Sequence, residues 1–219
     1  MSRSAWSVRE DKDREGTLRR RQLLDAARTV FERVGYGPAT ISDITKAAGV
    51  SRPTFYVYFA SKEQVFSVIA DEVRDAYRDA QSFHDVDPDD LEAVLATTAD
   101  STLGLAIENS ALLSSLDHQA LSDPGIRDIC TSIREESIQR TTRYLEAQAA
   151  KGALDLTAEP RALAVMGFSM NEYYAAQVVF GNTDRATAFS HIVQVWAAAI
   201  NCPRLARIRP VTAGRLSGR

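Results

Sequence analysis

Apolar residues recur at helical spacing along nearly the whole chain. Leu23, Leu24, Ala27, Val30, Phe31 and Val34 fall three or four positions apart, which predicts a first helix from about Leu18 to Val34. Gly35, Gly37 and Pro38 end it. Thr40 is a good N-cap for a short helix through Ala48, with Asp43 in its first turn complementing the helix dipole. Gly49 breaks that helix, and Ser51 caps the next, where Pro53 is tolerated in the first turn. Ser61 opens a fourth helix through the capping box S-K-E-Q, and Val65, Phe66, Ile69 and Val73 carry its apolar face as far as Gln81. Asp87-Pro88 opens a helix to about Glu108, followed by a shorter one from Ala111 to Leu121. Asp123-Pro124 opens a long one to Ala150, Glu159-Pro160 another to Phe180, and Asp184 the last, ending near Asn201. About nine helices and no strand are expected, an all-α chain. Residues 1–16 read as a flexible arm and residues 203–219 as a basic disordered tail.

Composition supports this and adds an asymmetry. Apolar residues make up 45% of the 219, enough for a substantial core, with only 11 Gly and 7 Pro. The net charge of −3 is unevenly spread: residues 1–62 carry a surplus of five positive charges, residues 63–202 a deficit of thirteen, and the tail another surplus of five. A basic amino-terminal segment on an acidic body suggests that the former meets a polyanion. Cys130 and Cys202 lie far apart, outside any CxxC pair, and read as free thiols. The charged N-terminus lacks the apolar stretch of a secretory signal, and no apolar run approaches a membrane span. The expectation is a cytoplasmic protein without a membrane partner.

Two short helices joined by a glycine turn and packed on a longer helix describe a helix-turn-helix. On the second, from Arg52 to about Phe59, a rotation of about 100° per residue puts Phe55 and Phe59 on one face. That face is expected to pack on Val30, Ile44 and Ala47. Arg52, Pro53, Thr54, Tyr56, Val57 and Tyr58 then point outward. Against duplex DNA these side chains have work to do. Arg52 can reach guanine edges, Pro53 and Thr54 can touch thymine methyls, and the hydroxyls of Tyr56 and Tyr58 can bond phosphate. Ser51 belongs to the same group as the cap. Thr40 and Ser42 at the start of the preceding helix, and Lys62 at the start of the fourth, are expected to hold phosphates on either side.

The run T40-I-S-D-I-T-K-A-A-G49-V-S-R-P-T-F-Y-V-Y-F-A-S-K62 resembles the DNA-binding signature of the TetR family of bacterial transcriptional regulators. Tyr58 stands where many members have His, and a subset that includes regulators of ethionamide activation shares S-R-P-T-F-Y-x-Y-F. The resemblance covers roughly residues 17–66. It implies a DNA-binding domain over residues 17–62, followed by a helical ligand-binding and dimerisation domain over residues 63–202. It also implies a homodimer formed through the last two long helices. In the ethionamide-type subset, the residues matching Asn171 and Trp196 line a ligand tunnel, so this pair is implied to do the same.

The body residues support such a site without reference to any family. Residues 159–180 and 185–200 are apolar nearly all round, and such helices need more than one packing partner. Phe168, Asn171, Tyr174 and Trp196 would give them a mostly apolar pocket with a few polar tips, suited to a small apolar effector. The three His residues are scattered, and there is no HExxH, GxSxG or phosphate-binding glycine loop. No enzyme, metal or cofactor is expected. The chain is expected to be a ligand-responsive repressor that binds a near-palindromic double-stranded DNA operator as a homodimer. The alternative is a helical small-molecule-binding or scaffold protein that keeps a non-reading helix-turn-helix.

Overall fold

The computed structural model describes residues 5–82 and 86–209, with side chains from residue 16 onward. Among these residues there are eight α-helices and no strand. They are α1 (Ala5–Val34), α2 (Ile41–Ala47), α3 (Arg52–Tyr58), α4 (Lys62–Ala80), α5 (Leu91–Ala120), α6 (Pro124–Ala150), α7 (Pro160–Val179) and α8 (Arg185–Ala199). A short 3₁₀ turn follows at Pro203–Arg207.

The all-α expectation holds, with three differences at the element level. Helix α1 reaches back to Ala5 through the stretch expected to be a flexible arm. The two helices expected between Asp87 and Leu121 are one, α5, because Glu108 to Ala111 contains no Gly or Pro to interrupt the hydrogen-bond ladder. The tail does not begin at 203: Leu205 of the 3₁₀ turn is buried in the same core as α8, an anchoring that aperiodic sequence does not announce. Residues 1–4 of the arm and 210–219 of the tail lie outside the described residues.

The chain divides into two compact units. The first comprises residues 1–72 with Ala111–Cys130, and the second Val73–Ser110 with the remainder from Thr131. In the first unit, Leu23, Ala27, Val30 and Phe31 of α1, Ile44 of α2, Phe55 of α3 and Val65, Phe66 and Ile69 of α4 are all buried. Phe31, Tyr36 and Phe66 form an aromatic cluster with ring centroids 5.0–6.3 Å apart. In the second unit the core draws on Leu103 of α5, Leu145 of α6, Leu163 of α7, Phe189, Ile192 and Val193 of α8, and Leu205. Polar ties join these helices at their flanks. Arg161 grips Glu135 with two bonds of 2.9 Å, and Arg134 reaches Glu172 at 3.0 Å.

The turns of the first unit are fixed by local chemistry. Thr40 and Asp43 complete a reciprocal capping box at the start of α2: the Asp43 amide donates to the Thr40 hydroxyl oxygen, and the Thr40 amide donates to the Asp43 carboxylate at 3.0 Å. The Thr40 hydroxyl also donates to that carboxylate at 2.6 Å, which together with the amide holds Asp43 below the usual carboxylate range. Gly35 and Gly49, where α1 and α2 end, adopt φ of +86° and +63°, a region costly for other residues. Ser61 accepts from the Gln64 amide as expected, but the Gln64 side chain accepts from Ala60 rather than from the cap residue itself.

The loop between α1 and α2 is closed by Lys62. Its ammonium donates to the carbonyls of Tyr36, Gly37 and Ala39 at 2.8, 3.3 and 3.0 Å and lies 4.3 Å from the centre of the Tyr36 ring. These three carbonyls belong to neither helix and would otherwise need water. Tyr36 is fixed further, because its amide donates to the Ser115 hydroxyl and its own hydroxyl to Glu63.

Two outcomes follow for stability. Thr40→Ala removes the cap and should cost about 1 kcal/mol, a fall in melting temperature of about 2–4 °C for a chain of this length. Because the Asp43 pKa is lowered on folding, its bond to Thr40 is present above the ordinary carboxylate range and lost as pH falls through the lowered value. Melts of the two proteins should therefore converge in acid. Lys62→Met strands the loop carbonyls and should cost about 1–3 kcal/mol in denaturant unfolding. A lysine that only met solvent would change stability by less than about 0.5 kcal/mol.

Candidate nucleic-acid interface and body pocket

Helix α3 has seven residues, too few to be stable without tertiary contacts. Two buried rings hold it. Phe55 is wholly inaccessible and Phe59, just past its end, is nearly so, with centroids 5.9 Å apart. Phe59 is also covered by the Arg20 guanidinium at 5.1 Å. The sequence reading of this face is right for Val30 and Ile44, which are buried, and wrong for Ala47, which is exposed; Ala48 turns inward instead. Ser51 caps α3 by accepting from the Thr54 amide, and its hydroxyl is 2.7 Å from that of Thr54. The Thr54 hydroxyl is thus engaged, which leaves the methyl as its contact group.

Of the six residues expected to point outward, four are exposed and two are only partly so. Arg52, Pro53, Tyr56 and Val57 are exposed, while Thr54 and Tyr58 are half-buried. Val57 presents 76% of its surface, a large apolar exposure for a seven-residue helix. Arg52 donates to the Tyr56 hydroxyl at 3.3 Å and lies over that ring at 5.8 Å, so the two move as a pair. Thr40 and Ser42 are exposed at the start of α2. Lys62 differs from the expectation: its three bonds to loop carbonyls and its position against Tyr36 give the ammonium an internal task. A phosphate contact would have to compete with all of them.

A cavity opens within the second unit, about 980 Å³ of empty space with its open mouth included. Phe168, Asn171 and Trp196 line it, as the sequence suggested; Tyr174 does not. The Tyr174 hydroxyl is instead 3.0 Å from His191 Nδ1, with the Tyr174 ring edge-on to Tyr173 and tilted against that imidazole. Helical phase accounts for the difference. Three residues separate Tyr174 from Asn171, but it leans toward α8 while Phe168 and Asn171 face the cavity.

Sequence reasoning missed most of the wall. Tyr77 of α4 and Gln81 just past its end, Thr98 and Thr102 from α5, and Ser137 and Arg140 from α6 all contribute. Tyr77 is buried with its ring 5.8 Å from that of Phe168. Burial, reinforced by the nearby Glu172 charge, pushes its phenol well above the ordinary range, so it keeps its proton. The available signal was a pair of polar-tipped residues on the inward face at the end of α4, Tyr77 and then Gln81 one turn on, where an ordinary amphipathic helix would continue with Leu or Ile.

Comparison with known proteins bears on both units. Residues 23–69 match the family described as bacterial regulatory proteins, tetR family. The HTH-type transcriptional regulator YdgC of Bacillus subtilis is 43% identical over 53 residues, 24% of this chain and 27% of its own. The chain thus spans about a quarter of the length of the first curated relatives it matches. The HTH-type transcriptional regulator EthR of Mycobacterium tuberculosis is 24% identical over 190 residues, covering 84% of this chain and 88% of that protein. Among solved structures, GusR of Salmonella enterica superposes with a TM-score of 0.70 at 18% identity, over 84% of this chain and 96% of that one. At that identity the likeness is one of fold. The matched segment contains the helix-turn-helix whose outward face is described above, and over this segment the chain matches the tetR family of bacterial regulatory proteins.

Proposed function

We propose that the chain is a ligand-responsive repressor that binds a near-palindromic DNA operator as a homodimer in the cytoplasm. The observation that carries this is α3: two buried phenylalanines anchor it, and an unpartnered face of Arg52, Pro53, Tyr56 and Val57 is left to solvent. Arg52 reads guanine edges, the Thr54 methyl and Pro53 meet thymine methyls, and the Tyr56 and Tyr58 hydroxyls bond phosphate. Thr40 and Ser42 hold phosphate at the start of α2, and Ser51 sets the start of α3. Lys62 acts indirectly, by holding the loop that leads into α2. Two such helices related by a two-fold axis would read half-sites about 34–36 Å apart, or a multiple of that.

The dimer face proposed is the exposed side of α7 and α8. Tyr173, Val179 and Phe180 are more than half exposed, and Val165 and Val195 lie on the same two helices. Large apolar side chains left exposed on two neighbouring helices are the support for a surface that is covered in the working molecule. The effector enters the cavity lined by Phe168, Asn171 and Trp196 and favours a body state incompatible with operator spacing. DNA must then weaken effector binding by the same factor. Helix α4 is the shared lever, since it supplies Lys62 to one unit and Tyr77 to the other.

Binding-site selection on random duplexes should return a two-fold symmetric sequence. Arg52→Ala should then cost about 1–3 kcal/mol and relax preference at one position per half-site. Weak binding that is uniform across sequences, with only a salt-dependent slope, would favour the scaffold alternative instead. For the interface, Phe180→Glu should convert the dimer to a monomer in sedimentation and abolish tight operator binding. A variant that still sediments as a dimer would move the interface elsewhere.

A further inference from the structure

We infer that the body cavity takes an uncharged amphiphile whose polar head is a carboxamide, a reading that rests on the ligand-responsive function proposed above. Four polar atoms on the cavity-lining residues are shielded from solvent and have no hydrogen-bond partner: Tyr77 Oη, Gln81 Oε1, Arg140 Nε and Asn171 Oδ1. Buried polar atoms are almost always paired, so four on one cavity amount to the negative image of a missing polar group.

Their orientations are set by neighbours. Asn171 Nδ2 donates to the Gly167 carbonyl at 3.1 Å, so the amide cannot flip without setting two oxygens against each other, and Oδ1 stays an acceptor. Gln81 Nε2 donates to the hydroxyls of Ser137 and Thr141 at 2.9 and 3.2 Å, which leaves its Oε1 over. Arg140 Nε is a donor only, and the Tyr77 phenol keeps its proton and can donate. All four residues line the one cavity: Tyr77 and Gln81 are one turn apart at the end of α4, Arg140 adjoins the Thr141 that holds Gln81, and Asn171 lies about one turn beyond the Phe168 ring that meets Tyr77. Leu95, Leu145, Leu154 and Ile200 of the unit's hydrophobic core supply apolar wall, and the hydroxyls of Thr98 and Thr102, also on the wall, are already engaged with carbonyls of their own helix.

Two donors and two acceptors are the complement of one primary carboxamide, whose oxygen accepts twice and whose nitrogen donates twice. A carboxylate or an ester can serve only the donors. It would leave the Gln81 and Asn171 oxygens facing another oxygen. A carboxylate would gain from Arg140, so the comparison of acid with amide is the decisive one.

The test is calorimetric titration of the full-length protein at neutral pH with three probes of one chain length: decanamide, decanoate and methyl decanoate. Decanamide should bind at least about tenfold tighter than either other probe, the effect of leaving buried acceptors unpaired. Asn171→Leu and Gln81→Met should each bring the amide down to the ester's level while leaving ester affinity within about threefold. Circular dichroism checks that both variants fold, and if one does not, the other carries the test. Equal affinities for the three probes would mean that water serves the four atoms, and that overturns the inference. So would tightest binding by decanoate, or no binding of decanamide. Operator release is scored separately. A selective amide that leaves DNA bound sinks the regulatory reading alone, whereas release by the acid or ester without amide preference sinks only this inference.

Discussion

The surface proposed to read DNA depends on the burial of two phenylalanine rings. A seven-residue helix has little stability of its own, because nucleation is unfavourable and too few hydrogen bonds follow to offset it. Its direction must come from packing. Phe55 and Phe59 supply that: both are buried, one turn apart, and Arg20 covers the second. With one side fixed, the 3.6-residue period leaves no choice for the other side, and Arg52, Pro53, Tyr56 and Val57 face solvent together. Everything proposed about base recognition descends from this. The same constraint explains the tolerance of an exposed Val57, since no rotation of α3 could bury it without expelling a phenylalanine.

The turns around α3 are built to hold that packing in register. The Thr40–Asp43 box and the Ser51 cap each satisfy helix-start amides by side chains, and Lys62 satisfies carbonyls in the loop before α2. These two kinds of device differ in how far they reach. The caps act over three residues and are therefore visible as local spacing. Lys62 acts over more than twenty residues of sequence, from the start of α4 back to the end of α1. A lysine flanking a DNA-binding segment suggests a phosphate contact on charge alone, and only the three-dimensional structure reveals that its charge is already occupied.

That contrast describes how much was legible. Where stability is local, the sequence was a good guide: the caps, the glycine turns at Gly35 and Gly49, and the inward face of α3 follow from spacing and backbone sterics. The split expected between Glu108 and Ala111 is absent because the backbone there, without Gly or Pro, has no reason to stop. Ala47 and Ala48 were exchanged by one step of helical phase, an error that small residues invite because either fits. The cavity was legible on α7 and α8, through Phe168, Asn171 and Trp196, and illegible on α4 and α6. Tyr77, Gln81 and Arg140 look like ordinary surface residues of amphipathic helices until the neighbouring helices are in place.

Gly167 shows how a cavity can be set by an atom that is absent. It sits inside α7 with ordinary helical geometry, where glycine costs about 0.5–1 kcal/mol relative to alanine and serves no turn. A β-carbon there would overlap the Trp196 indole, so the missing methyl is the space in which the indole lies against α7. The Gly167 carbonyl is also the acceptor that fixes the Asn171 side chain. One residue thereby positions an apolar wall through its lack of a side chain and a polar tip through its backbone. Restoring the lost helix propensity would displace the ring and with it the floor beneath Asn171. The glycine is explained by the cavity it permits, and by nothing in the helix that carries it.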